Sequence, residues 1–468
     1  MAEGRSAGGE AGAGSAGGAA GTADAANSAG TSGNGGTPEV AGASGVTGGV
    51  GAGGGGIAPG TRPAWGVLLA HGLGVTLLQS TQMAIWFVFP VLARKRFEAN
   101  DWQTLLVTLS SSVLFALSIF WNDLFARRSF GAYLRVWWLV GCAPLLLCAL
   151  AVDYWTLLVP YVVSCVGVAG YHPAGGDLLK ALYPAATRGR IYSAMWGVSM
   201  VAGAAMGWGV GEWLEADHNA FRYYLPGAAM LQLAGVWVFV RLSHATGHGA
   251  GRTVTADGVR TVAARLLEPI AHAKEVLRGD RVFARYEAAY MTYGVGWMIA
   301  YALLPMLVTD KLALRYDQIA FSTQTAYLLA LVAFLWPAGL LMDRLGPVRS
   351  TGLSFGMLSV YPILYLMSGD VYMLTIASVA YGAAHAGASV GWMLGPVALA
   401  PTKEKVAQYV AIHATLVGVR GTLFQMLGVG LYMAFGDFRP PLVLAALAYV
   451  WACVQMFQLD RVMGRKKG

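Results

Sequence analysis

Apolar stretches, each about as long as a membrane-crossing helix, follow one another from residue 64 almost to the end of the chain. A bilayer core about 30 Å thick requires about 20 apolar residues of helix at a rise of about 1.5 Å each. The pattern predicts an all-α membrane protein with twelve transmembrane helices, at residues 64–92, 103–121, 132–152, 155–178, 189–214, 223–242, 284–309, 321–341, 350–367, 371–398, 407–433 and 440–459. Little chain is left for a soluble catalytic domain.

Two segments interrupt this pattern. Residues 1–62 are rich in Gly, Ala, Ser and Thr, and they contain too little apolar surface to offset the entropy of ordering, so a disordered tail is predicted. Residues 243–282 form the only long connection, a predicted cytoplasmic linker. Apolar residues recur there at helical spacing beside basic ones, which predicts an amphipathic helix on the membrane surface. These apolar residues are Val262, Leu266, Ile270, Ala273 and Leu277.

The chain also repeats itself at an offset of about 215–220 residues. Three landmarks keep this offset: the Pro-containing ends of spans one and seven, an acidic residue after spans two and eight, and a Tyr and a Gly in spans five and eleven. The pairs are Pro90 with Pro305, Asp123 with Asp343, Tyr192 with Tyr409, and Gly211 with Gly428. Such repeats are typical of transporters with a site between their halves. We expect two pseudo-symmetric six-helix bundles, residues 63–242 and 283–460, before a basic tail at 461–468.

Composition and charge agree with a membrane protein. Of the 468 residues, 56% are hydrophobic and 12% are charged, whereas soluble domains have about 25% charged residues. The net charge of +8 reflects basic residues in cytoplasmic loops rather than nucleic-acid binding. With both termini inside, 24 of the 32 Lys and Arg residues face the cytoplasm and 7 face outside. The discordant cluster is Arg94, Lys95 and Arg96, after span one.

The loop after span eight carries a motif that resembles a loop signature of the major facilitator superfamily. Its residues are Gly339, Asp343, Arg344, Gly346 and Arg349, with Val348 where the pattern has a basic residue. The equivalent loop after span two keeps Asp123, Arg127 and Arg128 but lacks the glycines and the Arg after the Asp. The resemblance implies the twelve-helix fold of that family and a cytoplasmic charge latch between helices. It also implies alternating access, in which one half rocks against the other.

Two further segments support the resemblance. Arg188 and Arg190 lead into a span with Gly203, Gly207 and Gly211, which looks like the family's fifth span. Small residues at this spacing let helices approach closely. Residues 171–175, Tyr-His-Pro-Ala-Gly, are similar to a stretch in fosmidomycin-resistance-type efflux members, which favours export.

Polar residues inside predicted spans supply the candidate site. Ionisable groups deep in a membrane are costly and indicate function. Arg420, at the centre of span eleven, is expected to bind an anionic group, because no carboxylate was found at comparable depth; a structural Arg bonded to helix carbonyls is the alternative. His413 and His385 are candidate proton carriers, or hydrogen-bonding residues between helices. The other cavity-lining candidates are His71, Gln79, Gln82, Trp86, Tyr290, Trp297, Tyr301 and Trp392, although Trp and Tyr also populate membrane interfaces.

These patterns predict a secondary active transporter in the cytoplasmic membrane that moves a small organic solute. Arg420 favours an anionic solute, and proton-coupled efflux is the expected mode. We expect a monomer, in a lipid bilayer, with no cofactor, metal or nucleic-acid partner. Motifs of phosphate loops, zinc proteases and serine hydrolases were not found, so an enzyme is not expected. The alternatives are a transporter-like sensor or assembly partner that moves no solute, and a lipid flippase with a laterally open cavity.

Overall fold

The computed structural model describes residues 65–115, 117, 121, 124–125, 127–247, 273–402 and 405–465. The predicted tail at 1–62, Asp123 and most of the predicted amphipathic helix lie outside these residues. Within them the chain is helical and contains no strand. The predicted all-α class is confirmed.

Seven helices precede the linker: α1 Trp65–Phe97, α2 Asp101–Phe115, α3 Phe130–Gly141, α4 Tyr154–Val166, α5 Tyr171–Leu182, α6 Ala185–Ala216 and α7 Phe221–Ala245. Eight follow it: α8 Arg281–Met306, α9 Tyr316–Ile319, α10 Ala326–Leu345, α11 Pro347–Leu358, α12 Val360–Met367, α13 Val371–Leu399, α14 Val406–Phe435 and α15 Arg439–Arg465. Turns of 3-10 helix at Ala143–Leu150 extend α3, and π-helical turns at Leu307–Lys311 and Ala320–Thr325 flank α9.

Ten helical stretches in the described part of the chain are long and apolar enough to cross a membrane. Several combine two neighbouring helices, such as Tyr154–Leu182 and Pro347–Met367, and the stretch in α14 is Ile412–Phe435. The two predicted spans outside this set correspond to α2 and α6. The described part of α2 has 15 residues, and α6 has 32 residues but is rich in glycine.

The predicted fourth span is interrupted by a helix break between α4 and α5. Gly167 lies there against Gly141 of α3 so closely that a Cβ on Gly167 would fall 2.2 Å from the Gly141 Cα. Carbonyls freed by the break accept hydrogen bonds from aromatic side chains: Trp137 Nε1 donates to Gly167 O at 2.7 Å, and Tyr133 OH donates to Gly170 O at 2.6 Å. Inside a membrane, a break is tolerated only when such groups are satisfied within the protein.

We call the end of the bundle where α7 ends and α8 begins the linker end, and the opposite end the far end. At the far end, the basic cluster in the last turn of α1 reaches across to the second half. Arg94 forms an ion pair with Asp310, and Lys95 Nζ donates a hydrogen bond to Leu314 O. The ion pair offsets the charge of Arg94, one of the residues that conflicted with the charge bias.

The two halves also meet along α6, midway through the bundle. Gln324 Nε2 donates to Gly203 O at 3.0 Å, and Thr325 Oγ1 donates to Ala204 O at 3.0 Å. Gly207 accommodates the Gln324 side chain, because a Cβ there would lie 2.3 Å from its amide carbon. Two polar side chains of the π-helical segment, those of Gln324 and Thr325, therefore pack against the glycine-rich part of the predicted fifth span.

At the linker end, residues 273–279 form a short helix before α8. Ala273, Val276 and Leu277 contact a small apolar cluster that includes Phe283 of α8 and Ile412 of α14. The described end of the predicted amphipathic segment thus packs on the second half of the protein.

Candidate functional site

The candidate site is built on the seam between α8 and α14, two helices of the second half. Arg420 of α14 is 1% exposed. Its Nη1 donates a hydrogen bond to Tyr290 O at 3.2 Å, and its guanidinium lies 5.7 to 5.9 Å from the ring centres of Tyr290, Tyr293 and Trp297. Gly294 makes room for it, since a Cβ there would fall 2.4 Å from the Arg420 Cδ. The small residue and the carbonyl therefore fix where the cation lies.

The Nε of Arg420 is buried and has no hydrogen-bond partner among the residues that the structure describes. A buried donor without a partner costs about 1–3 kcal/mol, and more when it is charged. An anionic acceptor bound beside the guanidinium would satisfy this donor. The ring contacts alone stabilise the cation by cation–π attraction but do not supply an acceptor.

Glu287 and His413 form a buried pair of ionisable side chains on the same seam as Arg420. The His413 Nδ1 is 2.8 Å from Oε1 and 2.9 Å from Oε2 of Glu287. The side chains are 1% and 3% exposed for His413 and Glu287. Glu287 precedes Gly294 by seven residues, so about 10 Å of helix separates the pair from the level of Arg420. A carboxylate is thus close enough to offset part of the charge of Arg420.

Glu287 is the residue that the sequence analysis missed. By its position in the sequence, Glu287 lies near the cytoplasmic end of span seven. No acidic residue was therefore expected at the depth of Arg420. The structure adds that Glu287 is buried and hydrogen-bonded to His413, a predicted site residue. Glu287 precedes Gly294 by seven residues, so both lie on the face of α8 that is turned toward α14 and His413. This spacing is the signal that could have identified Glu287.

His385 lies in an aromatic cluster of the second half. Its Nδ1 is 2.8 Å from the hydroxyl of Tyr327. The ring stacks on Tyr381 at 5.0 Å and lies 5.8 Å from Trp297, which also contacts Arg420. The structure therefore brings His385 and Arg420 to two sides of one tryptophan, while His385 itself is hydrogen-bonded to a neutral group.

Predicted residues of the first half are engaged by neutral partners. His71 is buried, with Nδ1 3.1 Å from the hydroxyl of Tyr183. Gln82 accepts a hydrogen bond at 3.2 Å from Gln232 of α7. The first half therefore contributes hydrogen bonds to the bundle interior rather than charges at these positions.

The remaining predicted residues are partly buried, and they lie on α1, α8 and α13. Trp86 has a buried indole nitrogen without a hydrogen-bond partner, and Trp392 lies 5.4 Å from the His413 ring. The other two are Gln79 and Tyr301. A small cavity exists at the far-end seam, where it is lined by residues that include Phe87, Gly211 and Gln324.

The loop signature has a clear structural reason at one position. Gly346 joins α10 to α11 with φ of +78°, which only glycine adopts without strain. The charged members of both loops that the structure describes have exposed side chains, as expected at a membrane surface. They are Arg127, Arg128, Asp343, Arg344 and Arg349. Gly339 lies inside α10, with open space where a Cβ would be.

Comparisons with known proteins agree on the fold. No protein-family model and no curated protein sequence matches the chain. Solved structures that resemble it include a mutant peptide transporter POT in complex with sulfate, with a TM-score of 0.70, 14% identity, and coverage of 88% of this chain and 97% of that one. The human organic anion transporter MFSD10 has a TM-score of 0.61 and 14% identity over 85% of this chain and 100% of that one.

A bacterial homologue of the human lysosomal transporter Spinster, in an inward-facing and unoccupied conformation, has a TM-score of 0.57 and 16% identity. That match covers 84% of this chain and 93% of the other. Each match extends over almost the whole of the neighbour. The likeness is therefore one of the complete helical arrangement rather than of a fragment.

Proposed function

We propose that this chain, which has the fold of the major facilitator superfamily, is a secondary active transporter of a small organic solute that carries an anionic group. Residues 63–242 would rock against residues 283–460 and expose a central site to each side in turn. The observation that carries the proposal is the buried guanidinium of Arg420, whose Nε has no hydrogen-bond partner, close to a buried Glu287–His413 pair.

Arg420 supplies the binding group for the anion. A guanidinium in a low-dielectric site attracts a carboxylate, sulfonate or phosphonate strongly, and its planar donors match two acceptor oxygens. Two fold neighbours support an anionic solute: one is described as an organic anion transporter, and another was solved with sulfate. The aromatic rings around Arg420 offer an apolar surface for the rest of the solute.

The Glu287–His413 pair supplies the coupling site for protons. Histidine can take up and release a proton, and Glu287 lies at hydrogen-bond distance from the His413 ring. Uptake of a proton by the pair adds positive charge close to Arg420, which strengthens the attraction for an anion. Proton and solute therefore bind together, which favours symport driven by the proton gradient. The efflux suggested by residues 171–175 instead requires proton exchange, and the sign of proton movement distinguishes the two.

The test uses the full-length protein in liposomes loaded with the pH indicator pyranine. The probes are benzoate, p-aminohippurate, citrate and methylphosphonate, each added outside. Symport acidifies the interior as the anion enters, whereas exchange makes the interior alkaline. Arg420→Ala is expected to lower the response about 10- to 100-fold, because hydrogen bonds to charged groups contribute about 1.5–3 kcal/mol.

The matched control is Arg439→Ala, which removes an exposed Arg at the start of α15. We expect this variant to transport like the parent protein. A normal response in Arg420→Ala would refute the role of Arg420. If the protein is stabilised by a probe but moves none of them, the sensor alternative is supported, and movement of a fluorescent phospholipid would support a flippase.

A further inference from the structure

Polar residues at the linker end extend the α8–α14 seam down to the surface. The hydroxyl of Tyr409, on α14, donates a hydrogen bond to Asp280 Oδ2 at 2.8 Å. The other carboxylate oxygen of Asp280 accepts hydrogen bonds from the backbone of Val282 at 2.9 Å and Phe283 at 3.0 Å, which caps α8. Asp280 is half-buried, while Tyr409 is 3% exposed. Asp280 is thus in contact with solvent, whereas Tyr409 is enclosed by the protein.

The positions on the two helices are in register with the site above. Asp280, Glu287 and Gly294 follow one another at intervals of seven residues, so they lie on one face of α8. Tyr409 and His413 are four residues apart on α14, which brings their Cβ atoms to about 5–6 Å. Asp280 and Tyr409 form one hydrogen-bonded pair near the surface, His413 and Glu287 form a second pair deeper in the seam, and one turn of α14 separates the two.

The Nε2 of His413 is the open position in the deeper pair. It is buried and has no hydrogen-bond partner in the described part of the chain, while Nδ1 is hydrogen-bonded to Glu287. Leaving a buried nitrogen unpaired is costly in a protein interior. A group that must take up and release a proton needs such a free position, whereas a purely structural histidine gains from having both nitrogens bonded.

We propose that protons pass between the Glu287–His413 pair and the linker-end surface along this seam, with Asp280 as the collector at the surface and Tyr409 as the relay. The inference rests on the proposed function, because it supplies part of the path for protons whose coupling that function requires. The path runs inside the second half and serves the linker-end side alone, so protons from the other side reach the pair through the space between the halves where the solute moves.

The proton balance of one transfer is simple. Asp280 takes a proton from water and passes it to the Tyr409 oxygen, while Tyr409 gives its own hydroxyl proton to a water in the turn between Tyr409 and His413, and that water gives one of its protons to His413 Nε2. Asp280 returns to a carboxylate, Tyr409 remains a neutral phenol, and the pair gains one positive charge. Burial, together with the hydrogen bond to Asp280, raises the pKa of Tyr409 to about 12, so the hydroxyl keeps its proton between transfers. Tyr409 precedes the membrane-spanning stretch that begins at Ile412.

Other titratable groups around the pair belong to the same two helices. Tyr286 and Tyr290 of α8 face the His413 ring at 6.3 and 4.7 Å, and Arg420 lies two turns further along α14. From α13, Trp392 contributes a ring that does not titrate. The positive charge of Arg420 opposes protonation of the pair, and a bound anion relieves this opposition.

The experiment follows proton arrival without any solute. Full-length protein in lipid nanodiscs is subjected to a rapid drop in pH, and infrared difference spectroscopy records the shift of the carboxylate band that follows when a neighbouring histidine becomes an imidazolium. The part of the infrared signal that arises from the Glu287–His413 pair should be lost in Glu287→Gln, and this loss identifies it. Tyr409→Phe removes the relay hydroxyl but keeps the ring that packs 4.2 Å from Phe283. We expect the same shift to appear about tenfold or more slowly.

Asp280→Asn is expected to slow the shift similarly, because Asn preserves the helix cap but does not collect protons. The matched control is Asp370→Asn, which changes the aspartate that caps α13 through the backbone of Met373. A normal rate in Tyr409→Phe, with the component still absent in Glu287→Gln, would overturn the relay alone. If Glu287→Gln removes no component, the coupling site is wrong as well, and with it the path.

Discussion

The two halves of the molecule share a helical pattern but differ in what they bury. In the first half, His71 of α1 is hydrogen-bonded to Tyr183, a neutral partner. At nearly the repeat offset in the second half stands Glu287 of α8, which is bound to His413 and lies near Arg420. Buried charges are tolerated only when they are paired or serve a function. The comparison teaches that the repeat conserves the scaffold, while the ionisable groups are concentrated in one half.

The largest difference is expected when a buried polar group is replaced by leucine in each half. Glu287→Leu leaves His413 without its partner and Arg420 without a compensating charge. We expect the free energy of unfolding to fall by about 3–5 kcal/mol. His71→Leu removes a neutral hydrogen bond, with an expected loss of about 1–3 kcal/mol. Denaturant unfolding in mild detergent measures both, and equal losses would contradict the asymmetry.

A methyl group added beside Arg420 should have the next largest effect. Gly294→Ala places a Cβ 2.4 Å from the Arg420 Cδ, so the guanidinium must shift. Overpacking of this kind lowers stability by about 1–3 kcal/mol, and the response to organic anions should fall with it. Gly72→Ala in α1 is the control from the first half, because its nearest side-chain atom would be 3.9 Å away. Normal anion transport by Gly294→Ala would show that the position of Arg420 is unimportant.

The contact between the halves gives a third test. Gly207→Ala forces Gln324 away from α6, whereas Gly209→Ala meets open space. We expect Gly207→Ala to weaken the seam by about 1 kcal/mol, which is about a fivefold shift toward separated halves. A cysteine introduced by Thr323→Cys reports this as faster labelling by a thiol reagent. Unchanged labelling in the Gly207 variant would mean that the seam stays closed or opens elsewhere.

The smallest effect is expected from a neutral pair of the first half. Gln82→Ala removes the acceptor for Gln232, and the free energy of unfolding should fall by about 0.5–1.5 kcal/mol. The number of protons moved per anion should stay the same, because no charge is lost. Simultaneous pyranine and anion-flux measurements determine this ratio. A changed ratio would place part of the proton coupling in the first half.

Sequence patterns predicted the fold well because helix length and hydropathy are set by the bilayer. The all-α class is confirmed by the structure, and the arrangement of its helices is similar to that of solved transporter structures. Helix breaks were harder to predict, since the interruption at Gly167 depends on its approach to Gly141, which is distant in sequence. The same reason applies to the π-helical turns at Ala320–Thr325, whose polar residues bond to α6.

The candidate site was predictable only in part. Arg420 and His413 stood out because ionisable residues are rare in apolar spans. The partnership of His413 with Glu287 joins residues 126 positions apart and depends on how α8 and α14 face each other. Depth along a helix, judged by counting from an uncertain end, is a poor guide to which side chains meet. The register of two packed helices settles that question.

The ion pair between Arg94 and Asp310 joins residues 216 positions apart, and this distance has a consequence for biosynthesis. At about 5–20 residues per second, the ribosome needs roughly 10–40 s to proceed from one partner to the other. During that interval the newly inserted first half holds its cationic cluster at a membrane surface with Asp101, which pairs with Arg94 at 2.8 Å, but without Asp310. The other loops must therefore fix the topology of the first half early. The bundle is completed only when the second half has been inserted.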